Sequence, residues 1–373
     1  LLNMILDVIF DRRSDFLSIQ SKFKQKLQKL VFIQVKKEAL EELFKTKLIY
    51  KEDIFIPLEA SYITEKIIKT YEFDSIPLHK IIKSMFLVLG LDEDFKYNNI
   101  YKTLIIRNNN AINYIKSEIA SYVKNEDYEE AYVLLKGLIA VEEEEENIEK
   151  AICIAEVLRV KQRDFAVEEL KLIEYLKSIN DYGFPYFYEA LIYKDEEKYE
   201  MALLSIEECI KKEGSNKKEA VELKKIIKDA LDYEEGKSLV YDNPSKALEY
   251  LLPMIDTYED NAMLFYHIAV SYRLIGSYEK AIYYLNQSRN IDDNILEVVN
   301  EMGLNHAHIE DYKNAISYFK KGFEVSQGIE FCTNLIMCYL KIGDKKEANN
   351  YFKKAKEIDP KDEILIEIEK SMK

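Results

Sequence analysis

The chain has 373 residues and a formal charge of −15, from 53 Lys and Arg against 68 Asp and Glu. That balance argues against a general nucleic-acid binder, which needs a basic surface. Hydrophobic residues make up 48% of the chain, enough for an extensive core, while 10 Gly and 6 Pro are too few for an all-β fold rich in tight turns, so an all-α fold is expected.

Acidity is a local property. Lys124–Glu149 holds ten acids against two lysines, Phe16–Tyr50 holds eight lysines against three acids, and Ala262–Pro360 is nearly balanced at twelve against thirteen. Four cysteines, Cys153, Cys209, Cys332 and Cys338, are too dispersed for a disulfide framework and read as buried, reduced thiols. No stretch approaches the roughly 20 apolar residues of a membrane span. Leu1–Phe10 lacks the basic start and small-residue cleavage site of a signal peptide. The cytoplasm is the expected location, and the bias toward Lys, Ile, Asn and Tyr reads as an A/T-rich, bacterial genome.

In chain order, Leu1–Phe10 is expected to form a turn or two of amphipathic helix. The chain does not begin with Met, which suggests a piece of a longer protein with a catalytic or DNA-binding domain ahead of it. Phe16–Tyr50 reads as one long helix or two, with Phe16, Ile19, Phe23, Leu27, Leu30 and Val31 at helical spacing among Lys22, Lys24, Lys26 and Lys29. Such a face can meet an anionic membrane or an acidic partner, or it can be a solvated lysine edge. It can also turn toward the acidic Lys124–Glu149 stretch. Ile56-Pro57-Leu58 and Ile76-Pro77-Leu78 each place Pro near a helix start, with Ser75 positioned to cap the second. The helix after Pro77 is apolar on several sides, so it should be buried until it stops at Gly90. Asp92–Arg107 reads as a further helix broken by Asn108-Asn109-Asn110. Residues 1–110 show no repeat register and read as a helical N-terminal region.

From Ala111 to residue 260 a degenerate repeat emerges. Asp127-Tyr128-Glu129-Glu130-Ala131 and Lys198-Tyr199-Glu200-Met201-Ala202 match each other, with Asp164-Phe165 and Glu168 between them and Asn243-Pro244-Ser245-Lys246-Ala247 after. Glu142–Glu146 reads as a solvated acidic edge, Lys217–Tyr241 as an elongated helix, and Pro253 as a kink in a second helix. Residues 261–360 then carry one pattern three times at a spacing of 33 to 34 residues. Ala262, Phe265, Ile268, Tyr272, Gly276, Ser277-Tyr278 and Ala281 form the clearest copy. Gly303, Asp311-Tyr312, Ala315 and Phe319 form the next, and Leu335, Tyr339, Gly343-Asp344, Ala348 and Phe352 the last.

The pattern has a physical reading. Ala281, Ala315 and Ala348 open a second helix where it crosses the first, and a larger side chain there would push the pair apart. Ile268, Tyr272 and Leu285 fill the crevice between them. Gly276 and Gly343 end the first helix through a left-handed residue. Pro360 follows the last copy and starts a new helix, and Lys361–Lys373, with Ile364, Ile366 and Ile368, reads as a C-terminal cap.

A period near 34 with this small–aromatic–turn rhythm resembles the tetratricopeptide repeat family. The resemblance implies a right-handed superhelical solenoid of antiparallel helix pairs, with about seven units in all. It also implies that the first helix of each unit lines a concave, peptide-binding groove. The implied groove residues are Met263, Tyr266, His267, Val270 and Arg273 in the first clear unit, and Glu297, Asn300, Glu301, Leu304 and His308 in the second. In the third they are Glu330, Thr333, Asn334, Met337 and Lys341. The subfamily that grips chaperone C-terminal carboxylates uses Lys, Asn and Arg at set positions; here Tyr266, Val270, Glu301, Glu330 and Asn334 stand there, so that clamp is absent. The surface suits an extended peptide or a partner helix instead.

No Gly-rich phosphate loop, nucleophile elbow, Cys-x-x-Cys pair or His-Glu-x-x-His occurs. His306 and His308, two apart on a helix, cannot share a metal, and His267 reads as groove lining. No cofactor or metal and no catalysis are expected. The leading expectation is a protein- or peptide-binding scaffold, which could also self-associate into a homo-oligomer. The alternatives are a peptide-responsive bacterial regulator, whose N-terminal helices contact a signalling protein, and the interaction module of a larger enzyme.

Overall fold

The computed structural model describes residues 18–48, 50, 54–60, 62, 76–212 and 217–372. The expected helix at Leu1–Phe10, together with Phe16 and Ser75, lies outside them. By its contacts the chain divides into two compact units, residues 1–224 and 225–373. No helix among the described residues is long and apolar enough to cross a membrane.

The first unit opens with α1 (Ile19–Gln28), whose N-terminus is capped by the Ser18 side chain accepting from the Ser21 amide. The chain then departs from the expected one long helix or two by placing a strand within the segment. Leu30–Val35 is a strand, β1, followed by a short helix α2 (Lys37–Leu43), and Ile54–Glu59 is its antiparallel partner β2. The cause lies in local composition: Leu30-Val31-Phe32-Ile33-Gln34-Val35 is rich in β-branched and aromatic residues. Ile54, Ile56 and Leu58 alternate at period two and are all buried. Pro57 therefore starts no helix; it sits opposite Phe32 in a two-stranded ladder, where a missing amide donor is tolerated.

Next come α3 (Leu78–Leu91) and α4 (Asn98–Arg107), the latter starting six residues later than expected. Three helix pairs follow: α5 (Ala111–Lys124) with α6 (Tyr128–Val141), α7 (Glu145–Lys161) with α8 (Phe165–Ile179), and α9 (Gly183–Asp195) with α10 (Tyr199–Lys211). As expected, α3 is buried, from Ile81 through Gly90, and it packs on α6. Gly90 does not stop the helix. It permits close approach, since a Cβ there would lie 2.0 Å from the Val133 carbonyl oxygen, and one on Gly137 would lie 2.1 Å from that of Phe86.

Two of the four lysines of the α1 segment, Lys22 and Lys26, turn toward the rest of the unit, while Lys24 and Lys29 are exposed. Lys26 Nζ lies 2.6 Å from Glu130 and 3.4 Å from Glu129, and Lys22 donates to the Gln162 side-chain oxygen at 2.7 Å. The part-exposed Lys26 ion pairs contribute at most about 1 kcal/mol each, beside the packing of buried Ile19 and Phe23. Glu168, in a slot where Ala is usual, is buried beside Lys136 at 2.8 Å and Lys171 at 3.3 Å. Burial opposes its ionisation, but the two lysines outweigh burial and hold its carboxyl below the ordinary value.

The helix α11 (Lys217–Leu239), elongated as expected, contains the division between the units. In the second unit α12 (Pro244–Leu251) is followed by a 3-10 turn at Leu252–Met254, so Pro253 ends the helix instead of kinking it. Three further pairs are α13 (Ala262–Leu274) with α14 (Tyr278–Ile291), α15 (Leu296–His308) with α16 (Tyr312–Ser326), and α17 (Ile329–Lys341) with α18 (Lys345–Ile358). Ala281, Ala315 and Ala348 are fully buried at the crossings, as are Ala131, Ala202 and Ala247 earlier in the chain. Tyr272 stacks on Tyr284 with ring centroids 5.5 Å apart.

One turn recurs in both units. Gly276 and Gly343 adopt φ of 79°, and Glu126, Glu197 and Glu310 take the same left-handed position with φ of 60°, 59° and 61°. In each, the amide of the left-handed residue bonds back three residues and the next amide five, for example Gly276 to Arg273 and Ser277 to Tyr272. This pattern satisfies the last carbonyls of the first helix and aims the second back along it.

The final helix α19 (Glu363–Met372) starts three residues later than Pro360 would place it. Asp362 caps it by accepting from the Leu365 amide at 2.8 Å. Its packing face is Leu365 and Ile368, while Ile364 and Ile366 are exposed. Cys209, Cys332 and Cys338 are buried free thiols, which burial pushes up to about 11, and half-buried Cys153 lies 3.2 Å from the Tyr188 hydroxyl.

Candidate binding groove

The first helices of the three C-terminal pairs, α13, α15 and α17, carry the residues expected to bind. The four expected positions that could read a peptide backbone or anchor a side chain by amide or thioether chemistry reach the surface. Met263 and Met337 are 37% and 46% exposed, and Asn300 and Asn334 are half-buried. The two asparagines meet across adjacent repeats, Asn334 Nδ2 donating to Asn300 Oδ1 at 3.2 Å. This leaves the Asn300 amide donors and the Asn334 carbonyl free of that bond, and each asparagine has two donors and an acceptor to distribute.

A second rung lies one repeat earlier. Arg273 Nε donates to Glu301 Oε2 at 2.6 Å and Nη2 to Oε1 at 3.1 Å, a two-point ion pair between α13 and α15. The carboxylate is nearly buried and the guanidinium mostly so, at 6% and 17% exposure. Geometry of this kind is strong and directional. Both residues are thus committed to each other, and they brace the groove wall more than they present free charge.

Tyr266 is half-buried, with its hydroxyl pushed well above the ordinary phenol value, first by burial and then by the Glu301 carboxylate. His267 lies edge-on to Tyr266 at 5.2 Å and near Tyr233 at 6.0 Å. Burial, assisted by the Lys237 charge, lowers it to about 4, so it is neutral at physiological pH. Glu297, Glu330 and Lys341 are exposed.

Two expected groove residues are core. Val270 is fully buried in a cluster with Val240, Leu251 and Ile268. Thr333 is 4% exposed, its hydroxyl spent on the Glu330 carbonyl at 3.0 Å. Leu304 is half-buried against the cluster around Phe319 and Leu335. The reason is that a first helix touches both its own partner and the preceding repeat, so its buried arc is wide and leaves only a narrow strip for a ligand.

His306 and His308 both contact aromatic rings, and His308, an expected groove residue, is exposed. His306 Nδ1 is 3.1 Å from Asp311 and its ring stacks on Tyr318, while His308 stacks on Tyr278 at 4.6 Å. Among the described residues no group of three or more His, Cys, Asp or Glu could hold a metal ion. The Arg273–Glu301 pair was missed from sequence, although opposite charges 28 residues apart on neighbouring first helices were a usable signal.

A family model described as tetratricopeptide repeat matches residues 329–362. No curated protein matches the chain. Among solved structures, the chain is similar to YrrB, described as a TPR protein with an unusual peptide-binding site. Identity is 17%, over 53% of this chain and 97% of that one, with a TM-score of 0.39. MamA is 20% identical over 46% and 88%, with a TM-score of 0.34. Pseudomonas aeruginosa PilF is 14% identical over 61% and 99%, with a TM-score of 0.37.

Proposed function

We propose that this chain, a tetratricopeptide-repeat protein, is a binding scaffold whose α13–α15–α17 face takes an extended segment of a partner protein. The observation that carries the reading is the Asn300–Asn334 hydrogen bond: two side-chain amides on successive first helices, aligned at one repeat's spacing. Primary amides can pair with both the N–H and C=O groups of a bound main chain, which gives affinity without demanding one sequence. Met263 and Met337 on the outer two of these helices are exposed and offer adaptable apolar contacts. The Arg273–Glu301 pair leaves neither charge free for a ligand, and the exposed Glu297 and Glu330 disfavour a strongly anionic segment.

The test is selection from a displayed random-peptide library on the immobilised chain, with counter-selection on the Asn300→Ala/Asn334→Ala variant. Peptides retained by the parent and released by the variant support the reading. A library that yields no binder, or binders held equally by both, sinks it.

A further inference from the structure

The first unit holds a cavity of about 460 Å³, a volume suited to a small molecule, lined by α4 and α8 with α6 between them. Two of these helices, α6 and α8, are the second helices of their pairs, whereas the candidate groove is built from first helices. Leu89, Ile139, Ala140 and Leu172 give the cavity an apolar lining, joined by Tyr175, which is 37% exposed.

Three lysines and three carboxylates line it, so the cavity as a whole favours a ligand without net charge. Most of these charges are already paired. The buried Glu168 carboxylate lies 2.8 Å from Lys136 and 3.3 Å from Lys171 and accepts from the Tyr132 hydroxyl at 3.4 Å, and Lys136 is also 3.3 Å from Glu93. Two lining charges make no ion pair with a described residue: Lys102, half-buried on α4, and Glu143, exposed just beyond α6.

A third uncommitted group is an acceptor. Asn98, which lines the cavity, is 7% exposed, and its amide nitrogen donates to the Asp92 and Glu93 carbonyls at 2.8 and 3.0 Å. With the nitrogen held on the loop before α4, the oxygen is turned away from that loop, and it is buried without a hydrogen-bond partner. A buried acceptor in this state is unfavourable until a donor reaches it. Asn98 and Lys102 stand four residues apart on α4, hence on one face and about 6 Å of rise apart.

We infer that this cavity binds a free α-amino acid with an apolar side chain. The ammonium donates to Asn98 Oδ1, the carboxylate reaches Lys102 Nζ, and the side chain packs against Leu89, Ile139 and Leu172. An acceptor and a cation one turn apart match a head group that carries a donor and an anion on neighbouring atoms. Glu143 at the rim favours the ammonium and opposes a second anion. The cavity shares no residue with the asparagine-lined face, and the two readings fail independently.

The experiment is isothermal titration calorimetry on the full chain with L-leucine and its two truncated forms, isocaproate, which lacks the ammonium, and isoamylamine, which lacks the carboxylate. L-leucine is expected to bind at least about tenfold tighter than either. Lys102→Met, which keeps an apolar stem and removes the charge, should weaken L-leucine about tenfold, to the level of isoamylamine. Asn300→Ala/Asn334→Ala should bind L-leucine as the parent does. Circular dichroism checks that each variant retains its helices, and the comparison of the three probes on the parent stands without any variant. No binding of L-leucine, equal binding of the three probes, or Lys102→Met binding L-leucine as the parent does overturns the proposal. So does loss of L-leucine binding in Asn300→Ala/Asn334→Ala, which would place the amino acid on the other face.

Discussion

Arg273 and Glu301 grip each other through two hydrogen bonds, 2.6 and 3.1 Å long, across the boundary between two repeats. The pair joins two first helices of the candidate groove, with most of its surface withdrawn from water. Breaking one partner leaves a buried charge alone. Arg273→Ala is expected to destabilise the chain by about 3 kcal/mol, whereas the double change Arg273→Met/Glu301→Leu recovers most of that loss. Denaturant unfolding of the three proteins checks the order.

The left-handed residues give a prediction of opposite sign. Glu126, Glu197 and Glu310 occupy a backbone region that glycine fills without penalty, as Gly276 and Gly343 do in the same turn. A side chain there costs on the order of 1 kcal/mol. Glu310→Gly should therefore raise the unfolding midpoint, by about 1 kcal/mol in stability, and a midpoint that falls would mean the turn is held by something other than its backbone.

Gly90 and Gly137 bring α3 and α6 into backbone contact, with a Cβ on Gly90 placed 3.1 Å from the Gly137 amide nitrogen. Neither carbonyl that a methyl group would strike can rotate away. Gly90→Ala or Gly137→Ala should cost about 3 kcal/mol, read as a drop in melting temperature. A silent substitution would show that the crossing is looser than described.

The His267 environment sets a pH dependence. Its folded-state pKa is lowered to about 4 from an ordinary 6.5. The neutral ring is what the fold accommodates, so its contribution is fully present above pH 6.5 and is lost as pH falls toward 4. The loss is at most about 3 kcal/mol. Comparing unfolding midpoints at pH 7 and pH 4.5 for the parent and His267→Asn tests this: the variant should lose less stability over that interval.

The repeats were legible because their signals are local and chemically exclusive. Only a small residue fits where Ala281, Ala315 and Ala348 are buried, and Gly276 and Gly343 announce a left-handed turn. Glu310 in that same position announces nothing, so its turn is visible only by register with its neighbours. The strands were hidden by overlap. Phe23, Leu27, Leu30 and Val31 continue a helical spacing into a segment whose β-branched residues then pair with Ile54–Glu59, a partner some twenty residues further on. Val270 and Thr333 illustrate the limit for the candidate site. The position of a residue on a first helix is readable, but how far the neighbouring repeat covers that helix is decided by packing between units of sequence well apart.

Hydrogen–deuterium exchange on the full chain, with and without a peptide recovered by the library selection, tests the central claim most directly. Bound peptide should slow exchange in Ala262–Leu274, Leu296–His308 and Ile329–Lys341, and Asn300→Ala/Asn334→Ala should abolish that protection while its melting temperature stays within a few degrees of the parent. Protection centred on the second helices Tyr278–Ile291, Tyr312–Ser326 and Lys345–Ile358, or protection that survives in the variant, would contradict the assignment of this face as the binding groove.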